Sequence, residues 1–248
     1  VGEGGNLGFT QLGRIEFARK GGRINTDAID NSAGVDCSDH EVNIKILLNA
    51  EMSAGRLTLA ARNKLLAEMT DEVAELVLRD NYQQTQTLSM LQLRAPQLLD
   101  SQSRMMKRFE RDGLLNRDIE FLPADEEIAE RAKAGQGLTR PEMSVVLPYG
   151  KMWLFDKLIQ SDLPDDALAE DDLFNYFPAP LRKKYGKSIE RHKLRREIIA
   201  TGIANHLVNV GGVTVVWRCV EETGASADES ARALALGWQI GQIGRAHV

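Results

Sequence analysis

Two short segments of this chain carry residue types suited to holding a ligand. The first is Gly2-Glu3-Gly4-Gly5-Asn6-Leu7-Gly8. Glycines expose the backbone and tolerate positive φ, so such a run can approach a phosphate or a cofactor closely. Its spacing departs from G-x-G-x-x-G and no strand precedes it, although Asp27 lies about 20 residues on, where that fingerprint places an acidic residue. A plain surface turn is the competing reading. The second segment is Asn31-Ser32-Ala33-Gly34-Val35-Asp36-Cys37-Ser38-Asp39-His40-Glu41, read as following a strand and opening a helix. Gly34 lets the chain turn close to a ligand, and hydroxyl and amide groups beside free helix N–H groups can bind a carboxylate. Alternatively, Ser38 or Asp36 merely caps the helix, with Asp39 and Glu41 favouring its positive end.

Other reactive side chains have simpler readings. His40 between Asp39 and Glu41 suggests a metal ligand or a general base. Three adjacent helical residues cannot all face one ion, so no metal site is expected and His40 is read as structural. Cys37 near a helix start sits in a field that favours thiolate, against the commoner fate of a buried, inert thiol. The basic run Arg182, Lys183, Lys184, Lys187, Arg191, Lys193, Arg195 and Arg196 follows Asp162, Asp165, Asp166, Glu170, Asp171 and Asp172 closely. A solvated face or an ion-pair network explains that pattern better than a nucleic-acid surface.

The elements that must position these residues change character along the chain. After the glycine turn, Thr10 to Arg19 suits a short helix with apolar Leu12, Ile15 and Phe17. Arg23 to Ile29 reads as a strand, Asp30 to Gly34 as a turn, and the stretch through Leu48 as a helix, which is α/β syntax. Beyond about residue 50 helix formers dominate. Val73, Leu76 and Val77 follow i, i+3, i+4 behind a candidate Thr70 cap. Thr139 with Glu142 and Ser226 with Glu229 have capping-box spacing, and Pro148 should bend or interrupt the helix after Thr139. Ile199, Ile203 and Leu207 share one face of a helix read as starting near Ser188. Gly211 and Gly212 should kink or break the chain after it.

Bulk properties narrow the class. At 248 residues and 43% apolar, the chain can bury a substantial core. A net charge of −5 argues against a dedicated binder of nucleic acid or anionic membranes, which needs a positive field. Two cysteines, Cys37 and Cys219, exclude a disulfide framework and point to a reducing, cytoplasmic setting. The longest mostly apolar run, Gly202 to Val216, is too short and too polar to span a bilayer.

Longer phrases carry a resemblance. Gly2 to Gly8 with the run GGRINTDAIDNSAGVDCSDHEVNIKILL (Gly21 to Leu48) closely resembles the large bacterial NAD-specific glutamate dehydrogenases. MTDEVAELVLRDNY, GQGLTRPEMSVVL, HKLRREIIAT and EETGAS resemble the same family's C-terminal helical region, in the same order. The resemblance implies a piece of such an enzyme. Residues 1–50 would be the end of a partial Rossmann-like dinucleotide-binding domain of α/β class, and residues 51–242 a mostly α-helical domain. Residues 243–248 (IGRAHV) depart from the family pattern and read as a non-native tail.

The smaller glutamate dehydrogenases have EGAN and NAGGVTVS motifs similar to Glu3-Gly4-Gly5-Asn6 and Asn31 to Ser38. That similarity implies an NAD site at Gly4, Gly5, Asn6, Asn31 and Gly34, with Asn6 near the nicotinamide ribose. It implies that Val35 and Ser38 contact the substrate side chain, Ser38 pairing with the γ-carboxylate of L-glutamate. Ser32, Ala33, Asp36 and Cys37 depart from the shorter motif, which affects the expected backbone detail more than the placement of Ser38. The family's catalytic lysine and aspartate would lie upstream of Val1, so no catalytic residue is expected here. The implied reaction is NAD-dependent oxidative deamination of L-glutamate to 2-oxoglutarate and ammonia; this chain alone is expected to be inactive, to need the upstream part of the same polypeptide, and to assemble as a homo-oligomer. A related dehydrogenase for an apolar amino acid, and a non-catalytic helical scaffold, are the alternative readings.

Overall fold

The computed structural model describes residues 1–5 and 7–245, with side chains to residue 238. Asn6 lies outside the described residues, and of Ile243–Val248 only the helical backbone to Arg245 is described. The helices are α1 Gln11–Arg19, α2 Asp27–Asp30, α3 Ser32–Ser53, α4 Leu59–Glu68, α5 Thr70–Leu93, α6 Ala95–Arg111, α7 Asp125–Lys133, α8 Arg140–Ile159, α9 Glu170–Tyr176, α10 Ala179–Glu190, α11 Arg195–Gly211, α12 Val215–Thr223 and α13 Ala227–Arg245. Two short 3-10 turns, Leu163–Asp165 and Ala167–Ala169, join α8 to α9.

The fold is all-helical. Among the described residues there is no strand, which overturns the expected α/β, Rossmann-like character of residues 1–50. The segment read as a strand, Arg23 to Ile29, runs without regular structure to Thr26 and then turns into α2. Its apolar residues are used differently: Ile24 and Ile29 are buried against helices. A strand requires a neighbouring strand to take its backbone hydrogen bonds, and none of the described residues offers one. The N-terminal amino group of Val1 donates to the Arg23 carbonyl at 2.6 Å, a single link and no ladder.

α8 and α11 form the centre. Ile199, Ala200 and Leu207 of α11 and Leu147 and Leu158 of α8 are wholly enclosed, and α11 also packs on α5, α9, α12 and α13. On α3, Ile44, Leu47 and Leu48 join the same core, as do Leu88 and Leu91 on α5. α3 thus carries the chain unbroken through residue 50 into packing against α5.

Local signals explain several boundaries. Thr139 and Glu142 make both halves of a capping box at the start of α8, and Ser226 with Glu229 exchanges the same bonds before α13. α8 continues through Pro148 without interruption, because enclosure of the helix by its neighbours outweighs one missing donor. Thr70 does not cap α5. Met69 alone separates α4 from α5, and the Thr70 hydroxyl donates back to the Leu66 carbonyl. α11 starts at Arg195, not near Ser188, since α10 ends at Glu190 and His192 sits in the break, accepting from the Leu194 N–H. The glycine pair ends α11: Gly212 takes φ +85°, and α12 leaves at 88° to α11. No single helix among the described residues is long and apolar enough to cross a membrane.

Candidate functional site

The first ligand-suited segment is bonded to α2, the short helix that leads into the second. The Glu3 N–H donates to Asp30 Oδ2 at 2.8 Å, and the Leu7 N–H to Asp27 Oδ2 at 3.3 Å. Glu3 is enclosed beside Arg14, whose Nη2 donates to Glu3 Oε2 at 2.6 Å; that bond holds the Glu3 carboxyl below its usual range. The glycine turn is therefore fixed through its carboxylate to α1 and through its backbone to α2, one residue from Asn31. Gly4 and Gly5 remain exposed, and no atom stands within 4 Å of where a side chain would begin at either.

α3 then sorts its residues by face. At about 100° per residue, Gly34, Val35 and Ser38 fall on one side of the helix axis, and Asp36, His40 and Asn43 on the other. Burial follows that division. Gly34 and Ser38 are exposed and Val35 is 75% exposed, whereas His40 and Asn43 are buried. Asn31 is the shared boundary of α2 and α3, donating its N–H to the Asp27 carbonyl and accepting from the Gly34 N–H. Cys37 is exposed, not the buried thiol that most cysteines are.

The inward face of α3 carries chemistry that adjacency in sequence conceals. Asp36 and His40 are one helical turn apart and meet Asp80 of α5; one ligand-type atom from each of the three lies within 4.8 Å of the others. Asp39 and Glu41, the sequence neighbours of His40, take other partners. Asp39 Oδ2 accepts the Tyr176 hydroxyl at 2.7 Å, and Glu41 pairs with Lys45. The usable signal was the Asp-x-x-x-His spacing, i and i+4 on one face; Asp80 required the tertiary fold. Burial, with Asp80 and Asp39 nearby, pushes the Asp36 carboxyl up to about 6. Burial also lowers Lys151, to about 8, while its Nζ donates to Gln84 Oε1 at 3.0 Å. Tyr176 is pushed well above its ordinary range, first by burial and then by its bond to Asp39. Asp36, Asp39, His40, Asp80 and Tyr176 border a cavity of about 280 Å³ between α3, α5, α9 and α11.

The basic run is paired in part. Arg195 and Arg196 both reach Asp165, and Arg182 reaches Glu72 at 3.4 Å, so acidic neighbours absorb that charge.

Residues 1–91 match the family model for the bacterial NAD-glutamate dehydrogenase catalytic domain, and residues 135–245 match the glutamate dehydrogenase C-terminal model. The chain belongs to the bacterial NAD-glutamate dehydrogenase family. It is 54% identical over 236 residues to the NAD-specific glutamate dehydrogenase of Pseudomonas aeruginosa, covering 95% of this chain. Identity to the Halomonas elongata enzyme of the same name is 49% over 99% of this chain, and to that of Mycobacterium tuberculosis 45% over 94%. The chain spans about 15% of the length of these glutamate dehydrogenases. The match to the catalytic-domain model includes both α3 and the glycine turn, which the hydrogen bonds of Glu3 and Leu7 tie to α2 just before it.

Proposed function

We propose that this chain supplies one wall of the active site of an NAD-dependent glutamate dehydrogenase, together with the helical body that supports it. The reaction is reversible oxidative deamination of L-glutamate to 2-oxoglutarate and ammonia. The observation that carries this reading is the placement of Gly34, Val35 and Ser38 on the exposed face of α3, directly after the half-buried Asn31 at its start, in a segment matching the catalytic-domain model.

On this reading residues 1–50 meet the ligands and residues 51–242 hold them in place. The Ser38 hydroxyl donates to the γ-carboxylate of glutamate, with Val35 against the aliphatic part of that side chain. A site built to bond a polar group rejects substrates lacking it, which excludes apolar amino acids. NAD fits these residues at its nicotinamide end. Gly4 and Gly5 leave their backbone open, and α3 begins without a side-chain cap bond. Asn6, Asn31 and Gly34 would complete that contact. When bound, the nicotinamide accepts the hydride from Cα, and this chain's share is orientation. The proton-transferring lysine and aspartate of the family belong to another part of the polypeptide, so residues 1–248 alone are expected to be inactive. We place the enzyme in the cytoplasm as a homo-oligomer.

The test is a chimera in which this chain replaces the matching segment of the Pseudomonas aeruginosa enzyme. Expected are NAD reduction with L-glutamate and none with leucine, and a Ser38→Ala variant whose KM for glutamate rises while kcat changes less. A folded chimera that uses leucine, or a Ser38→Ala variant with unchanged KM, would overturn the assignment.

A further inference from the structure

We propose that Asp36, His40 and Asp80 form a binding site for a divalent transition-metal ion of the zinc class. The three side chains come from two helices and converge without a bond among them that satisfies the imidazole. His40 is 2% exposed, and its Nδ1 is buried with no hydrogen-bond partner. Its Nε2 stands 4.0 Å from Asp36 Oδ1, beyond hydrogen-bond reach. Asp36 Oδ2 is also buried without a partner. Burying polar atoms without bonds costs free energy, and an ion between the two side chains would take up the Asp36 carboxylate and the unbonded Nε2 that faces it.

The ring is held in place for this. His40 stacks on Tyr176 with centroids 4.4 Å apart and planes 22° apart. Tyr176 is itself fixed, donating to Asp39 and accepting from Asn43 Nδ2 at 2.8 Å. The imidazole therefore has little freedom to seek a partner elsewhere. Two cationic side chains lie close. Arg79 contacts Asp80 at 3.4 Å, and Lys151, bonded to Gln84, approaches from α8.

The donor set selects the ion. Ligand atoms about 2 Å from one ion stand roughly 3–4 Å apart, so a set within 4.8 Å closes by small carboxylate rotations. Two carboxylates with one imidazole suit zinc and its neighbours, whereas magnesium and calcium prefer all-oxygen sets. Three protein ligands beside a cavity leave room for water in the fourth position. The ion would join α3 to α5 on the face of α3 opposite Ser38 and so fix the helix's rotation. This proposal stands apart from the assignment of Ser38.

The test is calorimetric titration of the full chain with Zn²⁺, with Mg²⁺ as comparison and circular dichroism to verify the fold. One Zn²⁺ per chain is expected, with no comparable Mg²⁺ binding. Asp80→Asn and His40→Gln should each weaken binding by about tenfold or more, since even loss of a group behind a ligand costs that much. Cys37→Ser should leave it unchanged. Saturating Zn²⁺ should raise the melting temperature of the native sequence and not of Asp80→Asn. No stoichiometric binding by the folded chain, binding retained in both ligand variants, or binding lost with Cys37→Ser would each overturn the proposal.

Discussion

Arg131 holds Glu142 in a two-pronged pair, Nη1 at 2.7 Å from Oε2 and Nη2 at 2.6 Å from Oε1, with both side chains almost wholly enclosed. The same carboxylate accepts the Thr139 N–H at 2.6 Å, so one residue closes the capping box of α8 and anchors α7. Burial alone would lower the Arg131 pKa, but the paired carboxylate overrides it and the net shift is upward.

Removing Glu142 takes away the enclosed partner of Arg131 and leaves the buried guanidinium only the more exposed Glu127 carboxylate, at 2.8 Å. Glu142→Ala is expected to destabilise the fold by about 3–5 kcal/mol, more than most capping losses. Equilibrium urea denaturation measures it. A cost under about 1 kcal/mol would mean that water reaches Arg131 freely.

Gly137 allows the loop before α8 to lie directly on the start of α6. A Cβ there would fall 2.3 Å from the carbonyl carbon and oxygen of Ala95, and backbone cannot swing aside as a flexible side chain can. Gly137→Ala is expected to cost about 1–3 kcal/mol by overpacking. The measurement is a urea midpoint, with Gly135→Ala as a contrast: Gly135 meets nothing nearby, and its difficulty is a φ of +65°.

The Glu51 carboxyl is lowered to about 2, first by its bond to Arg56, with Ser188 of α10 also donating at 2.7 Å. A depressed carboxylate stabilises the fold above its unfolded pKa, near 4.5, and that stability is lost as pH falls towards about 2. Glu51→Gln should therefore lower the melting temperature at neutral pH and leave it almost unchanged at the acid end. Scanning calorimetry across that range decides it. An equal loss at both ends would point to packing instead of charge.

What could be read from the sequence was mostly local. The Thr139–Glu142 and Ser226–Glu229 boxes and the break at Gly211–Gly212 depend on residues within a few positions, and they form as spaced. The strand at Arg23 to Ile29 failed because its apolar pattern describes burial and cannot supply a pairing partner. Thr70 failed as a cap because α4 runs almost directly into α5. At the candidate site, the face shared by Gly34, Val35 and Ser38 follows from helical periodicity. The meeting of His40 with Asp80 does not, since 40 residues of chain and the packing of α3 on α5 stand between them.

Asp172 gives the opposite pH dependence to Glu51. It lies on α9 facing the cavity, packed over Gly202 of α11, and burial, with Asp171 adding repulsion, pushes its carboxyl up to about 6. Between the ordinary value of 3.8 and about 6 the folded chain holds a proton that the unfolded chain has released. Stability contributed by this group is therefore greatest at low pH and falls as pH rises through that window. Asn cannot ionise and keeps nearly the same shape. Asp172→Asn should stabilise the fold by roughly 1–2 kcal/mol at neutral pH, somewhat less than the full shift implies because the cavity admits water, and have almost no effect below about pH 4. Urea denaturation at the two pH values separates the outcomes. A variant that is less stable at neutral pH would show that the ionised carboxylate has a partner in the folded chain, and that its pKa is lowered instead of raised.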